Sequence, residues 1–358
     1  MSDSFHKKFS EVTITKLQLY KKYLYEWLPV FMNKSTRVNR ILIFDLFCGP
    51  GKDSEGTYGS PLILIDMILE YKKNPNTINN IPICIFFNDK NKQKIELLKN
   101  TINDKYGNIH NVFFYFYNKE FSDIFYELLP AMKMIDAAKL VFIDQFGISA
   151  LDETKFKLLT EITRLDWILF ISSNIVHRFS DHPAIQKYIN IENRGNFADI
   201  HKIIADYYRK MIPKGKEYFV SQFSLKKKSN IYGLLFGSRN ILGAEKFTNV
   251  CWKIDPIGGE ANYDLPSNAK IPYGQLSLLG SGYKKLDSYE YALEKAIKEG
   301  QLQTNIDCYI FSITNGIKAC DTKNILKKFE KKGIIKKLPR ALSHDAFMKR
   351  KVEYLTTN

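Results

Sequence analysis

The sequence predicts an α/β fold on an open, doubly wound parallel sheet, and three observations predict it. Between residue 40 and about residue 175, short apolar runs alternate with helical patterns through five rounds, as successive βαβ units do. The runs RILIFDLF, PICIFFND, NVFFYFYN, AAKLVFIDQFG and DWILFISSN are apolar along their length rather than at every second residue, as expected of strands covered on both faces. The first run ends in an acid followed at once by glycines, FDLFCGPG, at the turn where such a sheet exposes its ligand-binding edge.

Residues 1–36 are expected to form a helical segment. In SEVTITKLQLYKKYLYEWLPVFM, Leu17, Leu19, Tyr20, Leu24 and Trp27 fall at roughly helical spacing, and Pro29 marks an interruption or an end. The sheet domain spans 37–285. Its helices are SPLILIDMILEYKK, KNKQKIELLKNTIND, EFSDIFYELLPAM (helical until Pro130) and ETKFKLLTEITR. Residues 178–217 read as a helical insertion. EYFVSQFSL and NIYGLLFGSRN read as an antiparallel hairpin closing the sheet edge, with the helix GAEKFTNVCWKID beside it. Residues 256–286 are rich in Gly, Pro, Asn and Ser, which places a linker and a boundary near 285. In 286–358, DSYEYALEKAIKEG, TNIDCYIFSITNG (N-cap Thr304, Asp307 three residues on, Gly316 at the end) and DTKNILKKFEKKG (cap Asp321, stop Gly333) are three short helices. IIKKLPRALS then reads as strand and turn, so the tail is expected to be a winged helix-turn-helix-like domain.

The 358 residues are 45% hydrophobic, enough for a substantial core, and no run of about 18 apolar residues suggests a membrane span. The polar start MSDSFHKKFSEV lacks a signal-peptide core, so a cytoplasmic location is expected. The five cysteines form no C-x-x-C pair, which argues against a disulfide framework or a four-ligand zinc site. The net charge of +15 favours an anionic partner such as DNA or RNA, although 44 of the 53 basic residues are lysines in a composition rich in Ile, Asn, Tyr and Phe. The charge becomes an argument where it clusters. Between Lys318 and Val352 there are twelve basic residues and three acids. Lys323, Lys327, Lys328 and Lys331 on the third tail helix, with Lys336, Lys337 and Arg340 beyond it, are the candidate phosphate contacts.

The first loop, D-x-F-x-G-P-G, offers Asp45, Phe47, Gly49, Pro50 and Gly51 as cofactor-binding candidates, against the plainer reading of a tight turn that needs glycine. The second strand ends at Asp89, placed either to accept hydrogen bonds from both hydroxyls of a ribose or to cap the next helix; Asn118, after the third strand, is a candidate for a base edge. The loop contains neither G-x-G-x-x-G nor G-K-[ST], and an acid at the strand end would repel a pyrophosphate. A cationic nucleoside suits it better, and S-adenosylmethionine carries both a sulfonium and an ammonium. After the fourth strand, Asp144, Gln145 and Phe146 face the position of a transferred group: Asp144 as hydrogen-bond acceptor or base, Phe146 as a stacking surface.

FDLFCGPG, GSPLI, FIDQFG, NVCWKIDPIGG and QLSLLG, in that order, resemble the three-Cys-motif partner proteins, bacterial proteins described as methyltransferase-like, over most of the chain. The resemblance implies a Rossmann-like, class I methyltransferase-like sheet, S-adenosylmethionine as cofactor, and a partner bearing three cysteines that is similar to radical-S-adenosylmethionine proteins. It carries Asp45, Gly49 and Gly51 over as the cofactor loop, and Asp144 with Gly147 as the fourth-strand motif. Cys48 stands where the family usually has a small residue such as Ala, and Gln145 where it usually has Pro. The expected function is therefore a methyltransferase acting on nucleic acid. The alternative is a catalytically inactive interaction module with a DNA-binding winged helix, in a regulatory or anti-phage defence system.

Overall fold

A computed structural model describes residues 7–33, 38–75, 77, 80–144, 151–172, 200–227, 230–256 and 285–355. At its centre is a seven-stranded sheet of order β3-β2-β1-β4-β5-β7-β6. Strands β1 (Arg40–Asp45), β2 (Ile83–Asn88), β3 (Val112–Tyr117), β4 (Ala137–Ile143) and β5 (Leu165–Ser172) run parallel; β7 (Asn230–Ser238) is antiparallel both to β5 and to the edge strand β6 (Phe219–Lys227). The chain leaves β1 toward β2 on one side and reaches β4 on the other. The strand order therefore reverses between β1 and β4, which opens a crevice beyond their carboxyl ends.

Alternation along each strand divides the core in two. Ile41, Ile43, Ile83, Ile85 and Phe87 face α1 (Glu11–Met32), α2 (Ser60–Lys72) and α3 (Lys92–Tyr106), whereas Leu42, Phe44 and Phe86 face α4 (Phe121–Met132) and α5 (Glu153–Glu161). The helix α6 (Ile200–Lys210) lies within 178–217. It lies between β5 and β6 in the chain, and its Ile204, Ala205 and Tyr208 join the second core cluster. Residues 178–199 lie outside the described residues.

Helix α1 does not end at Pro29 but continues to Met32. A proline at that place cannot donate to the carbonyl of Tyr25 four residues earlier. The hydroxyl of Tyr71 donates to it instead at 2.7 Å, so the freed acceptor is satisfied and the helix persists. Helix α4 likewise runs past Pro130 to Met132.

Helix α7 (Ile241–Ile254) packs on the α1 side, and the tail packs on α7. The tail consists of α8 (Lys285–Lys298), α9 (Asn305–Thr314), α10 (Ala319–Lys331) and the short α11 (His344–Met348). The expected Thr304–Asp307 capping box is present at the start of α9, and Gly316 and Gly333 take left-handed conformations after α9 and α10. Two expectations are corrected. Helix α10 starts at Ala319, so Asp321 lies in its first turn and does not cap it. Residues 333–341 form turns and bends around a single bridge residue, Ile335, and no continuous strand: the Glu330 carboxylate accepts from the Leu338 amide (2.8 Å), and Glu353 accepts from the amides of Arg340 (2.9 Å) and Ala341 (3.1 Å). These amides are thereby withdrawn from strand pairing.

The tail shares the core of the sheet. Leu293, Tyr309, Leu326 and Phe329 belong to the α1-side cluster, Trp252 of α7 donates to the Gly316 carbonyl at 2.9 Å, and the Tyr309 hydroxyl donates to Glu245 at 2.7 Å. No helix among the described residues is long and apolar enough to cross a membrane.

Candidate functional site

The crevice at the reversal of strand order is flanked by Asp45, the last residue of β1, and Asp144, the residue after β4. Asp45 is fully buried, and among the described residues neither of its carboxyl oxygens has a hydrogen-bond partner of normal geometry. Burial pushes its carboxyl up to about 7; the Ser60 hydroxyl at the start of α2 opposes this, and the charge of Asp144 adds to it. A buried polar group without a partner is costly, and a pair of bare carboxyl oxygens at a ligand-binding edge is what a hydrogen-bond-donating or cationic ligand would satisfy.

The glycine loop is pinned from all sides. Leu46 N donates to Phe142 O (3.1 Å), Cys48 N to Asn88 O (2.9 Å), and Gly59 N to Gly51 O (2.7 Å). The buried Asn88 donates its side-chain amide to the carbonyls of Leu46 (3.2 Å) and Lys119 (3.1 Å) and accepts from Lys119 N (3.1 Å). It thus ties together the loops that follow β1 and β3. The two glycines have different tasks. Gly51, at φ +88°, packs so closely that a Cβ would meet Leu98 Cδ1 at 2.7 Å. Gly49, at φ +63°, faces open space. Only glycine holds that conformation freely, and among the described residues nothing lies within 4 Å of the place its Cβ would take. Beyond Gly51, Lys52 and Tyr58 pair across a small excursion, whose Asp53 carboxylate accepts from the amides of Phe9, Glu55 and Thr57. The residues between the glycines and α2 are therefore an ordered turn.

Asp89 is half-buried and adjoins the glycine loop: one oxygen accepts from Gly49 N at 3.2 Å, the other from Asn91 N at 2.9 Å. The cap of α3 is Asn91, not Asp89. A carboxylate has about four acceptor positions, so Asp89 retains capacity for two more donors. Asn118 donates to the Asp89 carbonyl at 2.9 Å. The structure thus gathers Asp45, Gly49, Pro50, Asp89 and Asn118 at one edge. It places Gly51 beneath that edge as a packing residue and turns Phe47 away onto Phe121, with ring centroids 5.2 Å apart. Gln145 and Phe146, together with Gly147, lie outside the described residues.

Three residues of this site were not singled out as site residues in the sequence: Lys16, Asn88 and Tyr20, the last named only for its helical spacing. Lys16 and Tyr20 are one helical turn apart on the inner face of α1. The Lys16 ammonium is buried, pairs with an Asp144 oxygen and sits 4.5 Å from the centre of the Phe170 ring. The other Asp144 oxygen is buried and has no partner among the described residues. Tyr20 stacks on Phe142 at 4.3 Å; its hydroxyl is also buried and unpartnered, and burial, then Asp45, raises its pKa well above the usual value. The one available signal was a lysine within the apolar spacing of TKLQLYKKYLYEW.

In the tail, the Lys323 ammonium donates to Arg340 O (2.7 Å) and Lys328 pairs with Glu290 (2.8 Å). Lys327, Lys331, Lys336 and Lys337 are exposed, and among the described residues no carboxylate holds them. No cluster of His, Cys, Asp or Glu suited to a metal is found among the described residues. A cavity of about 360 Å³ lies at the other end of the sheet, over the amino end of β5. Its buried Asp166 is raised to about 6 by burial and accepts from Tyr23 (2.8 Å) and Trp27 (3.0 Å), which anchor α1.

No family model matches the chain, and no curated protein matches it. Solved structures similar to part of it include the O-methyltransferase TomG of Streptomyces achromogenes in complex with S-adenosylmethionine. That likeness has TM-score 0.34 and 11% identity over 64% of this chain and 81% of that one. A magnesium protoporphyrin IX methyltransferase of Synechocystis with bound S-adenosylhomocysteine has TM-score 0.34 and 11% identity over 64% and 88%. An S-adenosylmethionine-dependent methyltransferase of Agrobacterium tumefaciens has TM-score 0.35 and 9% identity over 64% and 62%.

Proposed function

We propose that the chain is an S-adenosylmethionine-dependent methyltransferase that acts on nucleic acid. The observation that carries the reading is the fully buried carboxyl of Asp45, without a hydrogen-bond partner of normal geometry among the described residues, beside the open space at Gly49, at the reversal of strand order in a sheet whose strand β7 runs backwards. That strand order, with β7 reversed between β5 and β6, is the class I methyltransferase-like order. Asp45 and the Gly49 backbone would hold the cationic methionine end, Asp89 the ribose hydroxyls and Asn118 the base. Bound there, S-adenosylmethionine supplies the electrophilic methyl group. The chain orients it, excludes water through the cover of α1, and presents the free oxygen of Asp144 to the acceptor. The exposed lysines of α10 and of the turn after it would contact phosphates, which positions a polynucleotide without specifying its sequence. The partner with three cysteines implied by the resemblance belongs to the same proposal, and co-purification of the two chains tests it.

A second reading, a cofactor-binding module without transfer, is favoured by one observation: Asp144 is already engaged by Lys16. Incubating the purified chain with methyl-labelled S-adenosylmethionine and DNA or RNA separates the two. Label in the polynucleotide supports transfer. Cofactor binding without label in any acceptor contradicts it and leaves the module.

A further inference from the structure

We propose that Lys16 is a fixed counter-ion of the crevice: against the two carboxylates of Asp45 and Asp144 it leaves one net negative charge, so the site selects a nucleoside with one net positive charge over its neutral counterpart. The inference rests on the cofactor reading above and specifies what that site recognises.

Lys16 cannot leave without α1. The helix is locked by fully buried Leu19, Tyr20, Tyr23, Leu24 and Leu28, and Tyr23 and Trp27 bind Asp166 at its far end. The Lys16 side chain is buried, its ammonium between an Asp144 oxygen and the face of Phe170. Among the described residues, the groups facing Asp45 are Lys16 and Tyr20 from α1, Ser60 from α2, Cys48 from the loop and Asp144 after β4. Of these, only Lys16 is a cation. Among the described residues, the Tyr20 hydroxyl, both Asp45 oxygens and one Asp144 oxygen have no hydrogen-bond partner of normal geometry. In so dry a cluster an uncompensated charge is expensive, and the interaction between charges is several times stronger than in water.

Apart from Asp89 at the ribose end, the described residues thus set two acids against one lysine at this end of the crevice, one cation short. Burial is the main cause that raises the Asp45 carboxyl to about 7, and the charge of Asp144 adds to it, so a proton meets the deficit when no ligand is bound. S-adenosylmethionine, with sulfonium, ammonium and carboxylate, carries one net positive charge and would replace that proton. S-adenosylhomocysteine, which lacks the sulfonium, carries none. Transfer of the methyl group would remove the charge that the site selects, and so favour exchange of product for fresh cofactor.

The test is calorimetric titration of the full chain with S-adenosylmethionine and with S-adenosylhomocysteine, between about pH 6 and about pH 8. Buffers of different ionisation heat report the protons released on binding. The wild type is expected to bind the sulfonium form more tightly and to release protons with it. Lys16→Met is expected to release more protons, and its affinity for the sulfonium form to steepen by up to about tenfold per pH unit. Lys16→Arg, which keeps the charge, and the double variant Lys16→Met with Asp144→Asn, which removes one charge of each sign, are expected to restore the wild-type proton count. These two also keep the proposal testable if Lys16→Met alone fails to fold. A Lys16→Met protein with wild-type proton release, or a wild type that binds both nucleosides equally, overturns the counter-ion role and leaves the cofactor reading standing. A wild type that binds neither overturns both.

Discussion

Because the Asp45 carboxyl is enclosed at the end of β1, the stability of the ligand-free protein depends on pH. Its folded pKa of about 7 lies well above the unfolded value of about 4. The stability linked to its protonation is therefore full below about pH 4 and is lost as pH rises through about 7. Asp166, raised by burial to about 6, acts in the same direction. Thermal melts between about pH 5 and about pH 8 should show the wild type losing on the order of 3 kcal/mol through Asp45. In Asp45→Asn the loss should be smaller and the protein more stable than wild type at the alkaline end; equal slopes would contradict the assignment. The ribose role has its own test. Asp89→Ala is expected to weaken S-adenosylhomocysteine binding by about tenfold or more, the worth of hydrogen bonds to a charged group; unchanged affinity sinks the role. At this scale the placement of Asp45, Gly49 and Asp89 at the sheet edge was legible, because residue type and strand end coincide there. It was not legible for Lys16, Tyr20 and Asn88. Their roles come from helix α1 crossing the crevice and from three strand ends meeting, and neither leaves a local signature.

Helix α1 and helix α10 show what a single element can decide. Pro29 in α1 read as an interruption or an end because proline frees a carbonyl, but the taker of that carbonyl, Tyr71, is 46 residues away from Tyr25 in the chain and absent from any local pattern. Tyr71→Phe keeps the ring packing against Tyr25 and removes only the donor. It should cost about 1 kcal/mol in denaturant unfolding, and a neutral result would mean that solvent replaces it. Helix α10 was legible as amphipathic, with Ile325, Leu326 and Phe329 buried, but the spacing did not reveal which of its lysines are free. If the helix contacts phosphates, Lys327→Ala and Lys331→Ala should each lower the salt slope of polynucleotide binding by about one. Lys328→Ala, already held by Glu290, should change it less. Equal effects from all three would place the polynucleotide elsewhere.

For the whole molecule, alternation of apolar runs with helices was enough to predict the parallel part of the sheet and its hairpin edge, because strands buried on both faces leave a continuous hydrophobic record. The attachment of the tail was not legible. Its helices close the α1-side core through Trp252, Tyr309 and Leu326, contacts between segments that the sequence separates by a long polar stretch. The crevice between β1 and β4 thus sits in a frame that α1 covers and the tail braces, and the proposed function requires that crevice to be the nucleoside site. The most direct measurement is a crystal structure of the chain with S-adenosylhomocysteine. Density is expected beyond the carboxyl ends of β1 and β2, with the ribose against Asp89 and the amino-acid end toward Asp45 and Gly49. Density only in the cavity over Asp166, or a crevice free of ligand at saturating nucleoside, would contradict the reading.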